Sequence, residues 1–160
     1  MIRPVTARPP ELVAVVFDTT DARALAEFYR QLLGSTYRPG DEPPPVGEPD
    51  PRGRDWLVLL DRSGRPQLAF QQVDELPAPT WPEPTVPQQL HLDLRVDTRD
   101  ELLSHHARAL SLGARLLEDR SSDPEEALIV DADPDGHPFC LLVGPDAAWP
   151  PGDGAEPPSG

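Results

Sequence analysis

A chain of 160 residues with a formal charge of −14 is long enough for one sizeable core, built as a single domain or as two tightly joined halves. That charge argues against nucleic acid and anionic membrane surfaces as partners, because phosphate binding needs concentrated positive charge; it says little about a small-molecule ligand. The single cysteine, Cys140, allows no disulfide within the sequence; no apolar run reaches membrane-spanning length and no signal-peptide core opens the chain, so a cytoplasmic protein is expected.

Residues 1–11 read as a loose lead-in, and residues 12–76 as a first module. Leu12 to Phe17 is a nearly continuous apolar run with β-branched residues, the signature of a buried strand. Thr19, Thr20 and Asp21 supply helix N-cap chemistry. A helix follows from Ala22 to Leu33, with Leu25, Phe28, Tyr29 and Leu32 at helical spacing, and Gly34 stops it. A short strand near Thr36 and Tyr37 is weakly signalled. Pro39 to Arg54 reads as an exposed loop. Trp56 to Leu60 and Gln67 to Val73 form a strand pair joined by the turn Asp61-Arg-Ser-Gly64. Residues 77–88 form a stiff, Pro-rich connector around Trp81.

Residues 89–143 make a second module. From Leu90 to Val96 apolar and polar residues alternate strictly, which is the period of a strand with one buried face. Its polar side carries His91, Asp93 and Arg95, and such a row must meet water, a ligand, a metal or each other. Thr98 and Glu101 form a capping box for a helix whose apolar stripe is Leu102, Leu103, Ala109 and Leu110. His105 and His106 are expected on its solvated surface. Arg115 to Leu117, Ala127 to Val130 and Phe139 to Val143 are short strands, with Asp133-Pro-Asp-Gly136 turning into the last. Residues 144–160 read as a disordered tail. The two modules repeat one plan: Asp21 and Thr98 are 77 residues apart (98 − 21), as are Ala14 and His91 (91 − 14).

Two β-α-β-β-β units, the helix end Ala26-Glu-Phe-Tyr-Arg-Gln-Leu-Leu-Gly34, and the closing Asp133-Pro-Asp-Gly-His-Pro-Phe-Cys140 resemble the vicinal oxygen chelate superfamily. Within it the sequence is most similar to glyoxalase-like and bleomycin-resistance-type domains. The resemblance spans Leu12 to Val143 and implies an α+β fold whose two curved sheets enclose a central cup. It also implies small-molecule chemistry: metal-dependent lyases, isomerases and dioxygenases on one side, metal-free sequestering proteins on the other. Homodimers are common in such a family, so a homodimer is an open expectation.

Metal-dependent members of that superfamily place ligands at four slots, which map here to Ala14, His91, Leu68 and Cys140. Ala and Leu cannot bind a metal, and His91 with Cys140 does not make the oxygen- and imidazole-rich set that a catalytic divalent ion prefers. The expectation is therefore no cofactor, the alternative being one divalent metal ion on His91, helped by Gln71 or Gln72. The ligand-binding residues expected are His91, Asp93, Trp56, Leu68, Phe70, Gln72, Trp81 and Cys140, which suit a hydrophobic or aromatic molecule. Such a protein sequesters an antibiotic or metabolite. The rival is a glyoxalase-type lyase, isomerase or dioxygenase with His91 as base or metal ligand. Cys140 is expected as a small buried hydrophobe rather than a nucleophile.

Overall fold

The computed structural model describes residues 10–144. Most of the expected lead-in and all but Gly144 of the expected tail lie outside the described residues. The first module runs β1 (Val15–Thr19), α1 (Ala22–Leu33), β2 (Thr36–Tyr37), β3 (Trp56–Leu60) and β4 (Pro66–Gln72). The second runs β5 (Leu92–Val96), α2 (Arg99–Ser111), β6 (Arg115–Arg120), β7 (Leu128–Ala132) and β8 (Pro138–Val143). Each makes a four-stranded sheet, ordered β1-β4-β3-β2 and β5-β8-β7-β6, with the first strand parallel to the last and the other pairs antiparallel. The architecture is the two-module α+β fold expected from the repeat, with β2 only two residues long.

Local chemistry sets the helix ends. Asp21 caps α1 by accepting from the Ala24 amide at 2.9 Å, and Gly34 ends it in the left-handed conformation at φ 67°. Thr98 and Glu101 form the expected capping box on α2. The loop that follows β2 is anchored to the first module. Arg23 on α1 donates to Asp50 at 2.7 Å and to the Asp41 carbonyl at 2.8 Å. The buried Asp41 carboxylate accepts from the Val58 amide at 3.0 Å.

The sheets do not enclose a common cup within the chain. Each turns its helix-covered face inward, and the two faces share one core. Tyr29 on α1 is fully buried, its ring 5.2 Å from Phe17, 5.8 Å from Phe70 and 6.4 Å from Phe139 of the second sheet. Its hydroxyl donates to the Asp133 carboxylate at 2.9 Å, and His137 Nδ1 meets the same oxygen at 2.9 Å. The His137 ring stands edge-on to Phe17 at 5.1 Å. Apolar burial of both helix faces in one core leaves the opposite faces of both sheets directed outward.

On α2 the buried stripe is narrower than expected. Leu102 and Ala109 are buried, whereas Leu103 and Leu110 stay exposed, because residues one position on lie about 100° further round a helix. His106 is turned inward rather than solvated, and meets buried Asp131 at 2.9 Å. Burial pushes the Asp131 carboxyl up, and His106 opposes that shift. Among the described residues no helix is long and apolar enough to cross a membrane.

The joint between the modules makes stability depend on pH. Burial alone would push His137 down from 6.5, but its hydrogen bond to Asp133 and the charges of Asp133 and Asp135 hold it above that value. A raised histidine contributes stability that is complete below its unfolded pKa and is lost as pH climbs through the folded one. Urea denaturation between pH 5 and 9 should therefore show stability falling above about pH 6.5, and His137→Gln should flatten that fall. Tyr29→Phe should cost about 1.5–3 kcal/mol at neutral pH, the range for a hydrogen bond to a charged group.

Candidate functional site

The outward face of the second sheet carries the polar side of the alternating strand. Leu92, Leu94 and Val96 turn to the core, so His91, Asp93 and Arg95 point the other way by the pleat of β5. Register then builds a row across all four strands. Asp93 is opposite Cys140, Cys140 opposite Val130, and Val130 opposite Glu118. A second row runs from Arg95 through Leu142 and Leu128 to Arg120. Glu118 and Arg120 reach this face because β6 shifts register between Leu116 and Glu118, which makes Leu117 an extra residue and resets the alternation.

The connector covers this face. Thr80 closes it into a loop: its amide donates to the Val86 carbonyl at 3.0 Å, and its hydroxyl accepts from the Val86 amide at 2.8 Å. Trp81, joined to Pro82 by a cis peptide, is carried over the sheet. Ala78 and Pro79 lie against the turn at Gly136. Between loop and sheet is a cavity of about 240 Å³, with Trp81 and Gln88 on the connector side. Leu128, Val130 and Pro138 make its apolar floor, and His91, Asp93, Cys140, Glu118 and Arg120 its functional groups.

The charges here are unevenly compensated. Arg120 is drawn to Asp123 and Glu126, each at 3.2 Å. Asp93 has His91 Nε2 at 3.7 Å, a contact too long for a hydrogen bond. The Cys140 thiol is pushed up to about 12, first by burial and then by the charges of Asp93, Glu126 and Glu118. It is therefore a neutral thiol at physiological pH, with no activated nucleophile character.

Of the residues expected at the site, the structure brings together His91, Asp93, Trp81 and Cys140. It does not bring Leu68, Phe70, Gln72 or Trp56 there. Leu68 and Phe70 lie in the core under α1. Gln72 caps that helix, accepting from the Ala22 amide at 2.9 Å. Trp56 is opposite Gln71 on the outward face of the first sheet. The displacement of Leu68 has a local cause. Leu59 pairs with Leu68 but Leu60 pairs with Pro66, so Gln67 is an extra residue that rotates everything after it by one position. The hairpin of β7 and β8 has no such shift. Counting from the turn glycine therefore reaches the outward face at Cys140 and the core at Leu68. Register places Ala69, opposite Val16, in the position matching Cys140 opposite Asp93. The same pleat settles the glutamine pair, since Gln71 faces outward with Asp18.

Sequence reading missed Glu118, Arg120 and Gln88. The charged run Glu118-Asp119-Arg120 looks like a loop after an apolar strand, and only the bulge at Leu117 reveals its alternation. A divalent metal, which the fold implies for part of its members, does not fit the donors present. Ala14 and Ala69 offer no donor in the first module, and among the described residues no three His, Cys, Asp or Glu side chains form a group that could hold a metal ion.

A two-module α+β chain with outward sheet faces and a cavity under a connector is the frame into which the comparisons fit. The glyoxalase-like domain matches residues 14–142, and the chain belongs to this family, within the vicinal oxygen chelate superfamily. A glyoxalase/bleomycin resistance protein/dioxygenase family enzyme from Burkholderia phytofirmans PsJN is 18% identical, with TM-score 0.60 over 84% of this chain and 98% of that one. The genomically encoded fosfomycin resistance protein of Listeria monocytogenes is 16% identical, with TM-score 0.60 over 87% and 97%. A glyoxalase/dioxygenase from Nostoc punctiforme is 19% identical, with TM-score 0.57 over 91% and 97%. At these identities the likeness is one of fold. A search of curated proteins gives no match.

The state of Cys140 is directly testable. Iodoacetamide labelling of the folded protein at pH 8 should be much slower than that of the urea-unfolded chain, and should accelerate only as pH approaches about 12. Labelling as fast as in the unfolded chain would show an accessible thiolate.

Proposed function

We propose that the chain is a small-molecule-binding protein of the cytoplasm that works without a metal, holding an apolar or aromatic ligand between Trp81 and the second sheet. The observation that carries this reading is the cavity of about 240 Å³ with an aromatic side chain over an apolar floor and a few ionisable groups at its edges. That composition is typical of ligand pockets, and the volume lies a little below their usual range. Binding would draw on burial of the ligand's apolar area against Trp81, Leu128 and Val130, with orientation set by His91 and Asp93. Sequestration of an antibiotic or a metabolite is the role such a pocket serves.

Two observations favour binding over metal-assisted turnover: the donor set does not converge, and the Cys140 thiol is neutral. Calorimetric titration of the purified, chelator-treated protein with Mn, Fe, Ni, Zn and Mg should give no stoichiometric uptake. Ligand-observed NMR with an aromatic fragment library should give hits, and Trp81→Ala should weaken them about tenfold. Stoichiometric metal that disappears in His91→Ala would instead support the lyase, isomerase or dioxygenase reading.

The outward face of the first sheet supports a second component, a homodimer. Val16 on β1 is 40% exposed, and Leu12 and Val13 in the segment before β1 are 82% and 63% exposed. β1 and β5 are also edge strands of their sheets, which natural proteins usually protect. Light scattering should give twice the monomer mass, and Val16→Glu should shift it to the monomer. A monomeric wild type at micromolar concentration would remove this component and leave the cavity as described.

A further inference from the structure

The cavity does not present its charges symmetrically, and this bears on what enters it. The row through its centre begins and ends with a carboxylate, Asp93 on β5 and Glu118 on β6, with Cys140 and Val130 between them. Three inter-strand steps separate the two ends, roughly 14 Å between backbones. Both acids line the same space as Trp81. The cation in that lining, Arg120, has both Asp123 and Glu126 as ion-pair partners outside it. His91 is over half exposed at the rim, and its 3.7 Å approach to Asp93 leaves that carboxylate without a close donor from it. Arg95 stands on the neighbouring row with Leu142 and is not part of the lining. Two carboxylates on either side of an apolar floor favour a positive charge between them, and an aromatic face adds cation–π attraction.

We infer that the ligand of this cavity is an organic cation, a protonated amine on an apolar or aromatic frame, with its charge in the shared field of Asp93 and Glu118 and its frame against Trp81 and the Val130 floor. The inference rests on the ligand-binding reading of the same cavity and deepens it to a substrate class. The Cys140 thiol sits in the middle of the acid row and responds to it: Asp93, Glu126 and Glu118 all disfavour a further negative charge there. An anion placed over Cys140 would meet the same opposition. A neutral ligand would gain nothing from the charge of either carboxylate.

The test uses three probes of one shape, phenethylammonium, phenethyl alcohol and 3-phenylpropanoate, titrated into the full chain at low salt and followed by tryptophan fluorescence and protein-observed NMR. The ammonium should bind about tenfold more tightly than the alcohol, and the carboxylate weakest of all. Asp93→Asn and Glu118→Gln should each lower the affinity for the ammonium by more than the affinity for the alcohol, and added salt should narrow the gap. Equal affinities for alcohol and ammonium, or tightest binding of the carboxylate, would overturn the cation assignment and leave the ligand pocket standing. No binding of any probe at millimolar concentration would overturn both. Because neither acid is in the core, loss of binding in the variants can be separated from unfolding by their amide spectra.

Discussion

Tyr29 is where the two halves of this molecule become one. Its ring lies among Phe17, Phe28, Phe70 and Phe139, so it bridges the helix of the first module and a strand of the second. A fully buried phenol needs a partner for its hydroxyl, because an unpaired polar group in the core costs about as much as several methylenes gain. Asp133 supplies it, and Asp133 is itself a buried carboxylate that needs compensation. His137 gives that from four residues on, its amide and ring both reaching the Asp133 carboxylate. The motif Asp133-Pro-Asp-Gly136-His137 is thus more than a turn before the last strand. It is the polar end of an aromatic joint.

The placement of the site follows from that joint. With both helix faces committed to one core, neither sheet can turn its outer face toward the other within the chain. The cavity is therefore built by one sheet alone and roofed by the connector, not walled by two sheets. In that connector Ala78 and Pro79 lean on the turn at Gly136, next to His137, so the roof and the joint share a support. A small cavity is what such a construction yields, since a seven-residue loop pinned at Thr80 spans less than a sheet does.

Much of this was legible in the sequence. Alternation from Leu90 to Val96 marked the strand and its polar side, the Thr98 and Glu101 pair marked the helix start, and the repeat between Asp21 and Thr98 marked two copies of one unit. His91, Asp93, Trp81 and Cys140 fall at the cavity because each rests on a signal that local structure preserves. Several of the failures share one cause. A β-bulge changes which face every later residue occupies, and it leaves almost no trace in composition. Gln67 sends Leu68 and Phe70 to the core, while Leu117 brings Glu118 and Arg120 to the outward face. Gln72 was misread for a different reason. A glutamine at a strand end looks like a site residue, but the first amide of a neighbouring helix needed an acceptor. Tertiary pairing of this kind, like that of His106 with Asp131, joins residues whose separation in sequence carries no pattern.

The two modules, built on one plan, present different surfaces because matched positions carry different side chains. In the first sheet the positions that match Asp93 and Cys140 are Val16 and Ala69, an apolar pair. In the second they are a carboxylate and a thiol, with Glu118 completing the row. Duplication supplied equal scaffolds, and the alternating strand then set their chemistry one side chain at a time. That pair is only partly open, Val16 being 40% exposed and Ala69 buried, and the same face carries Asp18 and Gln71. A face with separated acids over an apolar floor suits a small ligand, where a few placed charges decide orientation. The difference between the sheets is thus written in two strand registers, with the core beneath them shared by both modules.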